Sequence, residues 1–185
     1  MLLERFEELL RTRAVPLGFI SPSDAGRIMD RHIVDSLRAV RCLRAIDREL
    51  ADVGAGAGLP GIPVAIAEPG RHVVLLEPAA RRAAFLELAV EVLRLENVDI
   101  RIARAEEANL RADTCFARAL ARPHRAWQLS ERLLGPRGRL LYFAGRSWAR
   151  AMEDELRARG VDATVCDQAE FAWQGPIVIM ARTSQ

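Results

Sequence analysis

The first 46 residues carry apolar side chains at helical spacing. Over residues 2–13 the apolar positions recur three or four residues apart between charged ones, which is typical of an amphipathic helix. Residues 24–29, preceded by the capping candidates Ser21 and Ser23, predict a second helical segment, and residues 31–46 predict a third. We expect these helices to form a cap on the edge of a sheet. The apolar positions of the first and third segments are Leu2, Leu3, Phe6, Leu9, Leu10, Ile33, Val34, Leu37, Val40 and Leu43.

From residue 47 onward, short apolar runs alternate with longer amphipathic segments. This alternation predicts parallel strands joined by helices. Asn97, Gly135 with Pro136, and Gly160 stand where three of the helices are expected to stop. The strands are predicted to end at Val53 and to cover residues 73–76, 98–102, 114–117 and 140–143, and the helices to cover residues 59–67, 81–95, 126–134 and 147–159.

The last two apolar runs, residues 161–166 and 177–180, have no helical segment between them. A parallel pair would need a crossover of about a dozen residues or more, so we expect an antiparallel hairpin here. The sheet would then have seven strands, mostly parallel, in an α/β, Rossmann-like fold. No linker or repeat interrupts residues 1–185, which predicts one domain with a helical cap over residues 1–46 and a core over residues 47–185.

Composition says little about partners. The 185 residues are 50% hydrophobic, which is ample for a core, and the net charge is only +2. All 27 basic residues are arginine. Arginine pairs with phosphate and stacks on bases, which favours a polyanionic partner, but a coding bias of the genome would give the same content.

The cysteines and the termini exclude several classes of protein. Cys42, Cys115 and Cys166 are odd in number and far apart, with neither CxxC nor metal-ligand spacing. We expect reduced core thiols and no metal. Three glutamates among the first eight residues are unlike a signal peptide, and no apolar run reaches membrane-spanning length. These features predict a cytoplasmic protein with no membrane partner.

The stretch DVGAGAGLPGIP, residues 52–63, is the clearest local signal. It follows a predicted strand and opens a predicted helix, and its glycines permit φ > 0 and let a ligand approach bare backbone. About 20 residues on, the next strand ends in Glu77, where a carboxylate is placed to bind a ribose diol. Together these features predict a nucleoside-bearing cofactor at the carboxyl edge of the sheet.

Two cofactor classes compete with a purely structural role for this loop. Gly56, Gly58 and Gly61 satisfy G-x-G-x-x-G, which dinucleotide sites also show. The carboxylate of Asp52, however, would repel a pyrophosphate and attract the ammonium of a methionine moiety. S-adenosyl-L-methionine, cationic and free of phosphate, is therefore favoured, and the terminal hairpin agrees with a class I methyltransferase fold. The third interpretation is a loop kept only for helix-to-sheet packing.

Five segments carry a family resemblance. They are RHIVDSL at residues 31–37, the loop at 52–63, LLE at 75–77 with RRAAFL at 81–86, RAEE at 104–107 and ARA at 117–119. In this order they resemble the RsmG (GidB) family, S-adenosylmethionine-dependent methyltransferases that modify guanine N7 in small-subunit (16S) ribosomal RNA. The match runs from about residue 31 to residue 145.

The resemblance implies a set of cofactor residues. Gly54 and Leu59 would line the cofactor pocket and Glu77 would hold the ribose. Ala105 and Glu106 would frame the adenine, and Arg118 would lie beside the methyl donor at the end of the fourth strand. With the loop, the predicted cofactor-binding set is Asp52, Gly54, Gly56, Gly58, Leu59, Glu77, Ala105, Glu106 and Arg118.

The predicted partner is small-subunit ribosomal RNA or the 30S particle, bound by a monomer. Two alternatives to RNA contact stand: Arg31 and His32 could form a local set with Asp35 on a helix surface, and Arg81 and Arg82 could be a solvated helix start. Trp127, Trp148 and Trp173 are interpreted as core or rim residues rather than as stacking platforms for bases. The candidate substrate residues are Arg31, His32, Arg81, Arg82 and Arg146, and Arg122, Arg125 and Arg150 are further candidates for the rim of the cleft.

The chemistry needs few special residues. Guanine N7 carries an in-plane lone pair and no proton, so no general base is required and we assign no catalytic residue. The chain departs from the family pattern in a shorter N-terminal region, in Ala117 where Ser is usual and in Ala144 where Lys is usual. Two alternatives therefore stand beside the leading hypothesis: a methyltransferase acting on a small heteroaromatic metabolite, and a non-catalytic RNA-binding homologue.

Overall fold

A seven-stranded sheet with the order β3-β2-β1-β4-β5-β7-β6 forms the centre of the protein. The computed structural model describes residues 1–183, so Ser184 and Gln185, the end of the predicted domain, lie outside the described residues. The strands are β1 (Glu49–Val53), β2 (His72–Leu76), β3 (Val98–Arg101), β4 (Ala112–Arg118), β5 (Leu134–Phe143), β6 (Val161–Asp167) and β7 (Ile177–Arg182).

The first five strands are parallel, and β7 runs antiparallel to both β5 and β6. The predicted terminal hairpin is thereby confirmed. Phe143, at the end of β5, pairs with Ile177, at the start of β7. Residues 168–176, which connect β6 to β7, therefore lie at the sheet edge where the parallel strands end. We call these residues the β6–β7 loop.

Helices cover both faces of the sheet. Alternate β1 residues point to opposite faces, since Leu50 lies in one hydrophobic core and Ala51 in the other. On the first face Ile62 and Leu86 are fully buried with the cap, and on the second Trp127 packs with the strands. The helices are α3 (Gly61–Ala67) and α4 (Ala80–Leu93) on the first face, and α5 (Pro123–Glu131) and α6 (Arg150–Arg157) on the second.

The N-terminal cap is helical where predicted, but its helices are irregular. Phe6 and Ile33 are fully buried in the same core as α3 and α4. The last helical segment ends at Cys42 rather than near residue 46, because Leu43 is extended (φ −75°, ψ 144°). Within residues 1–183, no helix has the length and apolar composition to cross a bilayer. The cap comprises α1 (Leu2–Leu9), π-helical Leu10–Ala14, 3-10 helical Pro22–Arg27, π-helical Met29–Val34, α2 (Asp35–Leu37) and 3-10 helical Arg38–Cys42.

The prediction that Gly135 and Pro136 end a helix is wrong. Both residues lie inside β5. Helix α5 already ends at Glu131, and Leu133 donates a turn hydrogen bond to the carbonyl of Ser130. A Pro has no N–H for a strand ladder and is confined to strand starts and irregularities. Here the pairing of β4 with β5 shifts register after Ala112, which accommodates the two residues.

The prediction of three reduced cysteines is wrong for two of them. Cys42, at the end of the cap, forms a disulfide with Cys166 in β6, with 6.0 Å between the Cα atoms. The two cysteines are 124 positions apart, and nothing in the sequence indicated the pairing, which forms because the cap packs against β6. Cys115 is free and buried, as predicted.

Candidate active site

A cavity of about 680 Å³ opens at the carboxyl ends of β1, β4 and β5. The cap forms one wall and the β6–β7 loop another, which places the cavity at the sheet edge where ligands of open α/β sheets bind. The predicted site residues that line it are Gly54, Gly56, Leu59, Arg31, His32, Arg82, Arg118 and Arg146.

The glycine loop between β1 and α3 presents backbone to this cavity. Gly54 and Gly56 have φ of +73° and +58°, the left-handed region that side chains rarely adopt. A Cβ on Gly54 would lie 2.7 Å from Leu120 Cδ1, so a side chain there would have to displace the end of Leu120. The N–H groups of Gly54 and Ala55 both donate to the carbonyl of Leu76 at 2.9 Å, which ties the loop to the end of β2.

Asp52 lies beneath the loop rather than in the cavity. Its side chain is buried, and Oδ2 accepts a 2.8 Å hydrogen bond from the backbone N–H of Gly61, the first residue of α3. Burial raises the pKa of Asp52 to about 7, against the opposing effects of the Gly61 hydrogen bond and the charge of Arg118. Asp52 thus fixes the start of α3 against β1.

Glu77 follows β2 and supports the loop from the other side. Its carboxylate is buried, with Oε2 accepting from Gly56 N and Oε1 from Ala79 N, both at 2.9 Å. Glu77 is not among the residues that line the cavity. Glu77 therefore positions the loop from behind.

Arg118, at the end of β4, joins the sheet to the cap. Its guanidinium lies 3.2 Å from Asp35 Oδ2 and donates to the carbonyls of Arg31 (3.0 Å) and His32 (3.1 Å) and to Ser36 Oγ (3.1 Å). The planar fork of arginine suits several acceptors at once. Arg118 lines the cavity while its donors hold the RHIVDSL segment in place.

His32 is held between two charged groups. Its Nε2 lies 3.1 Å from Asp24 Oδ2, and Arg118 Nη2 lies 3.3 Å from Nδ1. Burial, and then the positive charge of Arg118, lower the pKa of His32. At neutral pH the ring is therefore uncharged, and these partners assign the proton to Nε2, which donates to Asp24, and the lone pair to Nδ1, which accepts from Arg118.

A buried polar network behind Arg118 was not predicted. Arg38 donates to Asp35 Oδ1 (2.8 Å) and contacts Asp167 Oδ1 (3.3 Å), and Gln174 Nε2 donates to the same Asp35 oxygen (3.1 Å). Asp35 and Arg38 stand three positions apart in the helical cap, a spacing that sequence can suggest. No signal in the sequence connects either residue to Asp167 or Gln174, which come more than 120 positions later in the chain.

The remaining predicted residues lie outside the cavity lining. Gly58 packs within the loop, where a Cβ would lie 2.5 Å from Ile62 Cδ1. Ala105 is buried in the second core, and Glu106 pairs with Arg125 at 2.7 Å. Arg81 is exposed, with its guanidinium 5.9 Å from the ring centre of Phe19.

Nucleophilic and metal chemistry find little support among residues 1–183. Burial raises the pKa of Cys115, so its thiol stays protonated. No group of three or more His, Cys, Asp or Glu side chains in this part of the chain is arranged to hold a metal ion. The cavity lining combines bare backbone, the carboxylates of Asp24 and Asp35, and arginines.

Sequence comparison relates the chain to one family. Residues 1–172 match the family described as GidB, rRNA small subunit methyltransferase G. The ribosomal RNA small subunit methyltransferase G of Mycolicibacterium gilvum is 40% identical over 159 residues, covering 83% of this chain and 69% of that protein. Its namesake from Mycolicibacterium paratuberculosis is 41% identical over 163 residues, covering 85% and 64%. The chain thus spans 64–69% of the length of these two relatives.

Structural comparison supports the fold. The crystal structure of a mutant of MtNAS in complex with S-adenosylmethionine superposes with a TM-score of 0.66 at 18% identity, covering 99% of this chain and 72% of that chain. The crystal structure of P. horikoshii TYW2 in complex with MeSAdo gives a TM-score of 0.61 at 15% identity, covering 89% and 65%. The predicted Rossmann-like class I fold is confirmed.

Proposed function

Because this chain belongs to the GidB family of rRNA small subunit methyltransferase G proteins, we propose that it methylates N7 of a guanine in small-subunit ribosomal RNA, with S-adenosyl-L-methionine as donor. One observation carries the proposal: the bare backbone of the glycine loop and the end of β4 border a single cavity. A nucleoside on the loop would there face an acceptor base at the ends of β4 and β5.

The residues around the loop suit the donor. Gly54 and Gly56 leave the backbone open to close approach, and the carboxylate of Glu77, 2.9 Å from the N of Gly56, is the proposed acceptor for the ribose hydroxyls. The buried Asp52 adds negative charge behind the loop in its ionised form. Bound S-adenosyl-L-methionine would supply an electrophilic methyl group on a sulfonium. The proposed donor-binding residues are Asp52, Gly54, Gly56, Gly58, Leu59, Glu77, Ala105, Glu106 and Arg118.

Transfer to guanine N7 requires the protein to align donor and acceptor, but not to transfer a proton. The N7 lone pair lies in the plane of the base, and no proton leaves the nitrogen. Holding donor and acceptor in line removes much of the entropic barrier. Arg118 contributes by fixing the cap, and with it the width of the cavity, through its bonds to Asp35 and the carbonyls of Arg31 and His32.

The rim of the cavity favours a polyanion over a small metabolite. Arg82 and Arg146 line the cavity and are exposed. Arginine binds phosphate through a planar fork, and several such contacts give strongly salt-dependent binding. Arg31 and His32 also border the cavity, although both are engaged with Asp24. The proposed substrate residues are Arg31, His32, Arg81, Arg82 and Arg146.

A ribosomal substrate implies a cytoplasmic protein, and the assembled 30S particle and free ribosomal RNA are both candidate forms of that substrate. The monomeric state and the single domain with its cap remain predictions from the sequence.

Labelled S-adenosyl-L-methionine and undermodified small subunits provide the test. We expect label in 7-methylguanosine after nucleoside analysis, and activity that falls as salt rises. Glu77→Gln would put an amide N–H2 against the N–H of Gly56 or Ala79, so it should abolish transfer by displacing the loop. Glu49→Gln is the matched control, because Glu49 is exposed at the amino end of β1.

The same assay separates the alternatives. Salt-insensitive methylation of a small heteroaromatic acceptor, with no label in RNA, would replace the proposal by the metabolite enzyme. RNA binding without donor binding in calorimetry would indicate the non-catalytic homologue.

A further inference from the structure

Two aromatic side chains of the β6–β7 loop stack on each other at the protein surface. The rings of Phe171 and Trp173 are parallel within 2°, with centroids 5.6 Å apart. Phe171 is 54% exposed although it is one of the large apolar residues of the chain. Although it stacks beside Trp173, the Phe171 side chain thus keeps more than half of its surface open to solvent. We call this pair the aromatic platform.

The platform stands at the mouth of the cavity. Trp173 lines the cavity, next to Arg146 and Gly145 at the end of β5. The sequence alone predicted a core or rim position for Trp173, and its stacking on Phe171 appears only in the structure.

The loop that carries the platform is anchored from inside. Gln174 is buried, and its Oε1 accepts hydrogen bonds from the backbone N–H groups of Glu170 (3.0 Å) and Phe171 (3.1 Å). Its Nε2 donates to Asp35, the carboxylate that pairs with Arg118. One buried amide therefore fixes the platform relative to the cap and to the end of β4. Such anchoring keeps an exposed aromatic ring ordered before a ligand arrives.

Two arginines lie beside the platform. The guanidinium of Arg27 lies 6.0 Å from the ring centre of Trp173, and Arg146 Nη1 donates to the carbonyl of Ala172 at 3.4 Å. Both arginines are exposed. A planar apolar ring beside cationic groups is the combination that binds single-stranded nucleic acid, since bases stack on the ring while phosphates pair with the cations.

We propose that the aromatic platform stacks an unpaired nucleobase of the substrate RNA, next to the guanine that enters the cavity. The inference rests on the proposed function and extends it by assigning Phe171 and Trp173 as substrate-positioning residues. A nucleobase suits the site better than a protein surface does, because the neighbours of Phe171, namely Glu170 and Ala172, are polar or small and exposed. The open area is that of one ring rather than a broad apolar patch.

Phe171→Ala tests the proposal, with Phe171→Tyr as the variant that keeps a stacking ring. Phe171→Ala should raise the KM for small-subunit RNA by about fivefold or more, since base stacking contributes about 1–3 kcal/mol. The kcat and the KM for the methyl donor should change less than about twofold, and Phe171→Tyr should restore the RNA KM. Ile46→Ala is the matched control, because Ile46 is a 63% exposed apolar residue before β1, at the opposite sheet edge.

Direct binding of a fluorescein-labelled single-stranded RNA oligonucleotide, measured by anisotropy, adds a second readout. Phe171→Ala should weaken binding about fivefold without changing the slope of log K against log salt, whereas Arg146→Ala should reduce that slope. A merely structural role for Phe171 would not separate affinity from salt slope in this way.

Each outcome is informative. If Phe171→Ala binds and methylates RNA like the wild type, the platform has no such role. If the variant weakens binding to assembled 30S particles but not to the oligonucleotide, the platform contacts ribosomal protein and the proposal is overturned. If the wild type methylates no RNA but Phe171→Ala still weakens oligonucleotide binding, the platform stands and only the proposed function fails. A wild type that binds no RNA would overturn the platform.

Discussion

Arg118 Nη2 lies 3.2 Å from Asp35 Oδ2, and this ion pair joins the end of β4 to the helical cap. Both side chains are largely buried. Asp35 also accepts hydrogen bonds from Arg38 and Gln174, so this one carboxylate bonds to side chains of the cap, the sheet and the β6–β7 loop. The walls of the cavity therefore depend on each other through a single buried group.

Arg118→Ala should destabilise the protein by about 3 kcal/mol, because removing one member of a buried pair leaves the other without full compensation. Urea unfolding monitored by circular dichroism measures the change. The matched control is Arg101→Ala, whose pair with Asp99 is exposed on both sides and should contribute less than about 1 kcal/mol. Equal losses in the two variants would contradict the buried role of Arg118.

Asp52→Asn should remove a pH dependence of the free energy of unfolding. The pKa of Asp52 is about 7 in the folded protein and near 4 in an unfolded chain, so between these values the folded state holds a proton that the unfolded state lacks. The contribution of Asp52 to the free energy of unfolding is thus fully present at low pH. It falls by about 1.4 kcal/mol per pH unit as the pH rises towards 7. Urea unfolding of both proteins at pH 5, 6, 7 and 8 should show the wild type losing stability relative to Asp52→Asn. Parallel curves would mean that Asp52 is ionised throughout.

Gly54→Ala should weaken donor binding beyond what backbone strain explains. Gly54 and Gly160 have nearly equal φ, +73° and +74°, but a Cβ would meet Leu120 at Gly54 and open space at Gly160. Both variants should lose about 1 kcal/mol of stability from the left-handed backbone. Calorimetry with S-adenosyl-L-methionine should show a fall in affinity of about tenfold or more for Gly54→Ala alone. An unchanged affinity would remove the loop from the proposed donor site.

The disulfide between Cys42 and Cys166 predicts one free thiol in the unreduced, denatured protein, that of Cys115. Reduction before denaturation should give three. Cys42→Ser should lower the free energy of unfolding by about 2–4 kcal/mol, since the bridge closes a long loop in the unfolded chain. Cys115→Ser is the comparison that leaves the bridge intact. Three thiols without reductant would show that the bond does not form.

Local patterns predicted most of the fold. Strands β1 and β2, helix α4 and the terminal hairpin lie where apolar periodicity placed them, because each buries a face whose spacing matches its own repeat. Gly135 and Pro136 were misplaced, since the dipeptide is typical of turns and only the register shift between β4 and β5 accommodates it in a strand.

Motifs predicted part of the candidate site. Gly54, Gly56 and Arg118 border the cavity that the glycine loop and the family segments indicated. Asp52 and Glu77 instead lie behind the loop and hold its backbone. Their acidity was visible in the sequence, whereas their hydrogen-bond partners depend on how the loop folds back over β1 and β2.

The sequence by itself determined the succession of strands and helices along the chain, the glycine loop and the family of the protein. These features depend on residues that are neighbours in the sequence. Only the tertiary structure decided which distant residues meet, namely Cys42 with Cys166 and Gln174 with Asp35, and that Phe171 and Trp173 form an exposed stack. The first two contacts join residues more than 120 positions apart, and their formation depends on the packing of the cap against the closing hairpin. Periodicity describes which face of an element is buried, but not which element will cover it.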